Sequence, residues 1–273
     1  MVAWSPQWLY NAAMAIEGYS EFSFSDKGVV HPVYRRGEGP AVLIMHELPG
    51  LTPEVVRFAN WVVEAGFTAF VPCLFGKAGD EYKALGSYAS MARACIRREF
   101  SVLARRSSSP VTTWLRALCR MAFDELGGPG VGAIGMCMTG NFALALLVDE
   151  HIMAPVLSQP SLPFSVSKSH KESLHLSSGD LATVKRRTKA GLPVLGLRFS
   201  NDRLCPKERF VTLRRELGDA FEGIEIDSSP GNASGLGQRS HSVLTYDLVE
   251  DDPEHPTYQA RDRVIEFLQT QLR

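Results

Sequence analysis

The stretch from residue 130 to 148 limits the possible folds more than any other part of the sequence. It begins with a short apolar run, turns at Gly135-Met-Cys-Met-Thr-Gly140 and continues as an apolar helix. This order of strand, turn and helix is typical of a nucleophile elbow, in which small residues flank the nucleophile. Small residues are needed because the turn is tight and a side chain would meet the crossing backbone. The pattern predicts Cys137 as the nucleophile.

The position of Cys137 favours reactivity, although a simpler interpretation exists. Free backbone N–H groups and the helix dipole at the start of a helix favour a thiolate. The alternative is that Cys137 is only a small buried hydrophobe, as most free cysteines are. Thr139 also departs from the motif, since glycine usually stands there and Gly140 comes one position late.

Composition limits the class of protein. The chain has 273 residues, of which 45% are hydrophobic and 22% charged, and no long linker divides it, so we expect one α/β domain over residues 1–273. A net charge of -1 argues against a nucleic-acid partner. Five cysteines without a CxxC pair are typical of a reduced, intracellular protein. Because no leader and no membrane-spanning stretch is apparent, we expect a cytoplasmic protein without membrane contact.

Strand-like and helix-like segments alternate after residue 40. This alternation predicts a mostly parallel central sheet with helices on both faces and an antiparallel start. The segment 159–178 is long, polar and proline-containing, so we expect a mobile loop or lid over the mouth of the site. The predicted strands are 19–25, 29–34, 41–45, 67–71, 131–134, 152–157, 192–199 and 221–226, and the predicted helices are 4–16, 52–64, 85–103, 110–126, 141–148, 181–189, 206–217 and 256–272.

Two further residues complete a candidate triad with Cys137. In α/β-hydrolases the acid and the histidine follow the nucleophile in that order along the chain. Asp202 leaves the predicted strand 192–199, and His241 lies in a loop before the last helix. Each has an ordinary explanation, Asp202 as a helix cap and His241 as a loop residue. Their joint placement predicts a nucleophile, a base and an orienting acid.

These motifs resemble the dienelactone hydrolase family. The resemblance is carried by His46-Glu-Leu-Pro-Gly50, Pro72-Cys-Leu-Phe-Gly76, Gly135-Met-Cys-Met-Thr-Gly140, Asp202 and His241-Ser242. It implies an α/β-hydrolase fold and a Cys–Asp–His triad that hydrolyses esters or lactones through an acyl-thiol intermediate. It further implies that Glu47 contacts the resting thiol and that the backbone N–H groups of Leu48 and Met138 form an oxyanion hole. No metal and no organic cofactor is implied.

The resemblance also bears on substrate charge. Family members that act on dienelactone carry an arginine shortly after the residues matching His241-Ser242, and here Thr245 lies near that place. A hydroxyl cannot replace a guanidinium that pairs with a carboxylate. We therefore expect a preference for neutral small esters or lactones. Arg97, Arg98 and Arg203 are the candidates to supply a substitute charge.

Two other motifs in the sequence do not fit their usual contexts. Gly130-x-Gly132-x-x-Gly135 has dinucleotide-binding spacing, but its glycines precede and enter the strand instead of following it. His46-Glu47 begins like a zinc-protease motif, but residue 50 is Gly and not the second histidine. The sequence favours a hydrolase, and the alternative is a non-catalytic relative that binds or senses a ligand. It does not indicate an oligomeric state.

Overall fold

The computed structural model describes residues 16–79 and 109–273. The predicted helix 85–103, with Arg97 and Arg98, and nearly all of the predicted helix 4–16 lie outside these ranges. The described strands are β1 (Ser20–Asp26), β2 (Val29–Arg36), β3 (Ala41–Met45), β4 (Thr68–Pro72), β5 (Val131–Met136), β6 (Ile152–Ser158), β7 (Val194–Phe199) and β8 (Phe221–Ile226). The described α-helices are α1 (Pro53–Glu64), α2 (Val111–Leu126), α3 (Gly140–Leu146), α4 (Lys168–Lys171), α5 (Ser178–Lys189), α6 (Lys207–Leu217) and α7 (Pro256–Leu272).

The strands form one sheet in the order β1-β2-β4-β3-β5-β6-β7-β8. β1 with β2 and β2 with β4 pair antiparallel, whereas every other neighbouring pair is parallel. The predicted mostly parallel sheet with an antiparallel start is therefore confirmed. All eight predicted strands within the described ranges are present, with ends that differ by a few residues.

Helices cover both faces of the sheet, as the sequence predicts. The central strand β3 is fully buried, and its residues alternate between the two cores. Leu43 packs with the core that includes α2, α3, α5 and α6. Val42 and Ile44 pack with the core that includes α1 and α7. Burial on both sides explains why this strand reads as a continuous apolar run. None of the helices in the described ranges has the length and apolar character that a membrane crossing requires.

The topology brings the carboxyl ends of the central strands together. β3 and β5 are neighbours, and Met45 lies opposite Gly135 in their register. The loop after β3 therefore starts beside the turn after β5. The loops that follow β7 and β8 open at the same edge, because these strands run parallel to β5. This edge is where open parallel sheets bind ligands.

Candidate active site

The turn after β5 has the backbone of a nucleophile elbow. Cys137 has a φ of 53°, a conformation that residues with a side chain rarely adopt. The turn closes so tightly that a Cβ on Gly135 would lie 2.2 Å from the carbonyl oxygen of Thr139. Glycine is therefore required at position 135. Cys137 lies at the strand's carboxyl end, and the residue as a whole is 7% exposed.

Thr139 replaces the usual second glycine and adds hydrogen bonds to the elbow. Its hydroxyl accepts from the N–H of Met136 at 2.9 Å and lies 2.9 Å from the carbonyl oxygen of Met45 at the end of β3. The side chain is fully buried. The departure from the motif therefore does not open the elbow. The late glycine has its own role, because a Cβ on Gly140 would lie 2.6 Å from Cα of Pro160.

Asp202 and His241 form a hydrogen-bonded pair. Nδ1 of His241 lies 2.7 Å from Oδ2 of Asp202. The other carboxylate oxygen accepts from the backbone N–H groups of Leu204 at 2.8 Å and Cys205 at 3.2 Å. Both oxygens of Asp202 are therefore engaged, and the carboxylate fixes the orientation of the imidazole ring. This leaves Nε2 of His241 buried without a hydrogen-bond partner in the described part of the chain.

Three reactive side chains converge beside this pair. One ring nitrogen of His241, Sγ of Cys137 and one carboxylate oxygen of Glu47 all lie within 4.8 Å of one another. Burial lowers the pKa of His241, but the charge of Cys137 and the hydrogen bond with Asp202 outweigh it and raise the pKa well above its usual value. The ring is therefore suited to hold a proton taken from the thiol. These three residue types are also zinc ligands, so the same cluster could hold a metal ion.

Glu47 is buried and accepts hydrogen bonds from three side chains. Ser242 donates to Oε2 at 2.7 Å, Gln159 donates to the same oxygen at 3.3 Å, and Thr245 donates to Oε1. Burial raises the pKa of Glu47, while His241 and the three donors lower it to a smaller extent. The sequence placed Glu47 beside the thiol by resemblance, and the structure brings the two together. The three donors were not predicted.

A further residue missed from the sequence holds the loop of His241. The carboxylate of Asp247 accepts from the backbone N–H groups of His241 at 2.8 Å and of Ser242 at 2.9 Å. Asp247 thereby closes a turn that carries both the predicted base and two of the three donors to Glu47, Ser242 and Thr245.

The remaining predicted site residues differ in how near they lie to the triad. Leu48 directly follows Glu47, and Met138 directly follows Cys137, so both backbones border the cluster. Arg203 lines a cleft of about 380 Å³ together with Asp202, His241 and Arg239. Arg97 and Arg98 lie outside the described residues. Of the three predicted arginines, Arg203 therefore lines a cleft with Asp202 and His241, and Arg239, which was not predicted, is a second cation in that cleft.

The segment 159–178 is more firmly held than its polar composition predicts. The buried guanidinium of Arg209, on α6, donates to four of its carbonyl oxygens: Pro160 at 2.7 Å, Pro163 at 2.7 Å, His170 at 3.1 Å and Ser173 at 3.0 Å. Burial lowers the pKa of Arg209 to about 10, so the group remains charged at neutral pH. The segment also contains α4, which was not predicted. Residues 159–163 are buried, and the expectation that the segment forms a lid over the mouth of the site stays a prediction.

Solved structures resemble this fold at low sequence identity. A dienelactone hydrolase from Anabaena variabilis is 14% identical with a TM-score of 0.59, and the alignment covers 94% of this chain and 100% of that one. The dienelactone hydrolase-like promiscuous phosphotriesterase P91 from metagenomic libraries is 16% identical with a TM-score of 0.57, covering 91% and 97%. A cold-adapted esterase from an Arctic intertidal metagenomic library is 15% identical with a TM-score of 0.54, covering 100% of both chains. No curated protein matches the chain in sequence.

The sheet order, the flanking helices and the elbow define the class of α/β-hydrolases. The model of the dienelactone hydrolase family matches residues 28–272, and the chain belongs to that family. The predictions of the fold and of an ester hydrolase of this family are confirmed at that level.

Proposed function

We propose that the chain hydrolyses small esters or lactones with Cys137 as the nucleophile. The observation that carries the proposal is Cys137 at a positive φ in the elbow, with the paired ring of His241 and Asp202 beside it. Family membership supports ester hydrolysis in general. The raised pKa of His241 supports its role as the base that takes the proton of the thiol during attack.

The first half-reaction transfers the acyl group to sulfur. Sγ of Cys137 attacks the carbonyl carbon of the ester, and its proton passes to Nε2 of His241. The carbonyl oxygen becomes an oxyanion that accepts hydrogen bonds from the N–H groups of Leu48 and Met138. The C–O bond to the alcohol then breaks, and His241 returns the proton to the departing oxygen. Asp202 stabilises the charged ring throughout.

The second half-reaction releases the acid. A water molecule attacks the acyl-thiol carbon and gives a proton to His241. The same backbone N–H groups hold the oxyanion, the C–S bond breaks, and His241 reprotonates the sulfur. In a lactone, the alcohol and the acid belong to the same molecule, so opening of the ring gives a single hydroxy acid.

The proposal is tested by single-turnover kinetics with p-nitrophenyl acetate. We expect a burst of nitrophenol and an acylated Cys137 in the intact-mass spectrum of the wild type. Cys137→Ala and His241→Ala should each lower kcat by about 1,000-fold or more with little change in folding. Cys119→Ala is the matched control, because Cys119 is a buried thiol on α2, and it should keep normal turnover. Full activity in Cys137→Ala would refute the mechanism, and ligand binding without turnover in the wild type would favour a non-catalytic protein.

Substrate charge is tested with a matched pair, a free carboxylate and its methyl ester. The Thr245 hydroxyl is engaged with Glu47 and offers no positive charge, so we propose a preference for the neutral ester in kcat/KM. Arg203 and Arg239, which line the cleft with Asp202 and His241, are the residues that could reverse it. A preference for the free acid would contradict the neutral-substrate proposal, and its loss in Arg203→Gln but not in Arg239→Gln would assign the charge to Arg203.

A further inference from the structure

His46, which precedes Glu47, has a defined protonation state in the structure. Its side chain is fully buried. Nε2 lies 3.0 Å from the backbone nitrogen of Leu74, and a backbone N–H can only donate. Nε2 is therefore the unprotonated acceptor, and the proton of the neutral ring lies on Nδ1. Burial lowers the pKa of His46 to about 4, which keeps the ring neutral at physiological pH.

The Nδ1 proton fixes the peptide that follows. Nδ1 lies 3.0 Å from the carbonyl oxygen of Glu47, so the ring donates to that carbonyl. The Glu47–Leu48 peptide is not among the cis bonds of the described residues, and the C=O and N–H of a trans peptide point to opposite sides. Holding the carbonyl of Glu47 therefore sets the direction of the N–H of Leu48. That N–H has no hydrogen-bond acceptor within residues 16–79 and 109–273.

We infer that His46 is a positioning residue that aims the N–H of Leu48 at the substrate oxyanion. The inference rests on the proposed function, in which Leu48 supplies one of the two oxyanion donors. His46 does not touch the reacting atoms, because both ring nitrogens are engaged with backbone groups. His46 acts on the N–H of Leu48 by holding the carbonyl group of the same peptide, Glu47–Leu48.

A purely structural role for His46 would be to join the loops that follow β3 and β4. These loops already approach each other closely at other points. A Cβ on Gly76 would lie 2.6 Å from the carbonyl oxygen of Pro49, and one on Gly50 would lie 3.0 Å from that of Phe75. Replacing His46 should therefore leave the loops after β3 and β4 packed against each other, while the Glu47–Leu48 peptide becomes free to rotate. This separates the positioning role from a packing role.

The test compares ester turnover with alkylation of the same thiol. Attack on an ester develops charge on a carbonyl oxygen, whereas alkylation of Cys137 by iodoacetamide displaces iodide and uses no oxyanion hole. In His46→Leu we expect kcat for p-nitrophenyl acetate to fall about 30-fold or more, with KM and the alkylation rate changed by less than about threefold. His46→Gln, whose amide can both donate and accept, should restore part of kcat.

Thr68→Val is the matched control. Thr68 begins β4 and donates a partly buried hydrogen bond to the carbonyl of Gly39 at 2.8 Å, at the end of the β3–β4 pair away from the site. Its loss should lower stability and leave kcat near that of the wild type. An equal fall of turnover and alkylation in His46→Leu, or an unchanged kcat, would overturn the inference.

Two further measurements keep the outcomes distinct. Nitrogen-15 NMR of the wild type should show the proton of His46 on Nδ1, and a proton on Nε2 would overturn the inference even if every variant failed to fold. Wild type and Cys137→Ala are measured in the same series. Absent or cysteine-independent turnover would refute the proposed function, while cysteine-dependent turnover that ignores His46 refutes only the role of His46.

Discussion

The elbow at residues 135–140 and the segment 159–178 are neighbours that are held in place by different means. The elbow is shaped by residues within it, since Gly135 leaves room for the carbonyl of Thr139 and the Thr139 hydroxyl bonds the N–H of Met136. The segment is shaped from outside, by the guanidinium of Arg209 on α6. The two meet where the N–H of Ser161 donates to the carbonyl of Cys137 at 2.9 Å.

This difference shows what a local sequence pattern can and cannot encode. A six-residue motif indicates the elbow because two of its constraints are local: Gly135 leaves room for the carbonyl of Thr139, and the Thr139 hydroxyl bonds the N–H of Met136. The bond of the same hydroxyl to the carbonyl of Met45 is not local. Four carbonyl bonds from Arg209 reach residues 36 to 49 positions away, so the composition of the segment says little about its rigidity. A polar loop becomes ordered when one buried donor group satisfies several of its carbonyl groups at once.

The largest effect is expected from Arg209→Met. Loss of the guanidinium leaves four carbonyl groups without their donor, and we expect the free energy of unfolding to fall by about 4 kcal/mol. Urea unfolding measures it, and limited proteolysis should cut the segment 159–178 faster in the variant. Arg215→Met is the control, because Arg215 lies on the same helix with its side chain 62% exposed, and it should change stability by less than about 0.5 kcal/mol. Equally fast cutting of wild type and variant would mean that Arg209 does not hold the segment.

Gly135→Ala applies the same test to the elbow. The new Cβ would lie 2.2 Å from a backbone oxygen, so the turn must open. We expect a loss of about 2 to 3 kcal/mol in the free energy of unfolding. Displacement of Cys137 should also lower kcat about 100-fold.

Gly179→Ala is the matched control for Gly135→Ala. Gly179 lies in α5, and a Cβ there would have nothing within 4 Å, so alanine should fit and slightly stabilise the helix. Normal stability and turnover in Gly135→Ala would show that the elbow is not constrained by its own residues.

Thr139→Val measures how much the hydroxyl of Thr139 contributes to the free energy of unfolding. Valine keeps the shape but removes the acceptor for the N–H of Met136, and we expect a loss of about 1 to 2 kcal/mol by urea unfolding. Thr139→Ser keeps the hydroxyl and should recover most of it. If the valine variant is as stable as the serine variant, the hydroxyl does not support the elbow.

The smallest effect concerns Glu47, which bonds Gln159 at the start of the segment. Burial raises the pKa of Glu47 above its usual value of 4.5, so the folded state binds this proton more tightly than the unfolded state. Stability from this group is therefore present below about pH 4.5 and is lost as pH rises toward the folded pKa. The wild type should lose stability relative to Glu47→Gln across that window. A constant difference between the two proteins would contradict the assigned shift.

Much of the fold and the identity of the candidate triad were predictable from the sequence. Buried parallel strands read as continuous apolar runs, and parallel strands bring their carboxyl ends to one edge. Residue types suited to catalysis in the loops after those strands were therefore expected to meet, as the pairing of Asp202 with His241 shows.

The remaining features depend on contacts between distant residues. Thr245 and Ser242 bond Glu47 across almost 200 residues, and the role of Arg209 depends on carbonyl groups of a loop. Neither the periodicity of the sequence nor the spacing of its motifs predicts which distant residues will form hydrogen bonds. The tautomer of His46 likewise depends on the N–H of Leu74, which only the approach of two loops brings into reach.

The hydrogen bond between Ser242 and Glu47 joins residues 195 positions apart, and it has a consequence for biosynthesis. During translation the elbow of Cys137 leaves the ribosome more than 100 residues before His241. Until then the thiol lacks both the proposed base and the turn that holds Glu47. The nascent chain therefore carries an ordinary cysteine, and esterase activity is acquired only when the last third of the chain has folded onto the sheet.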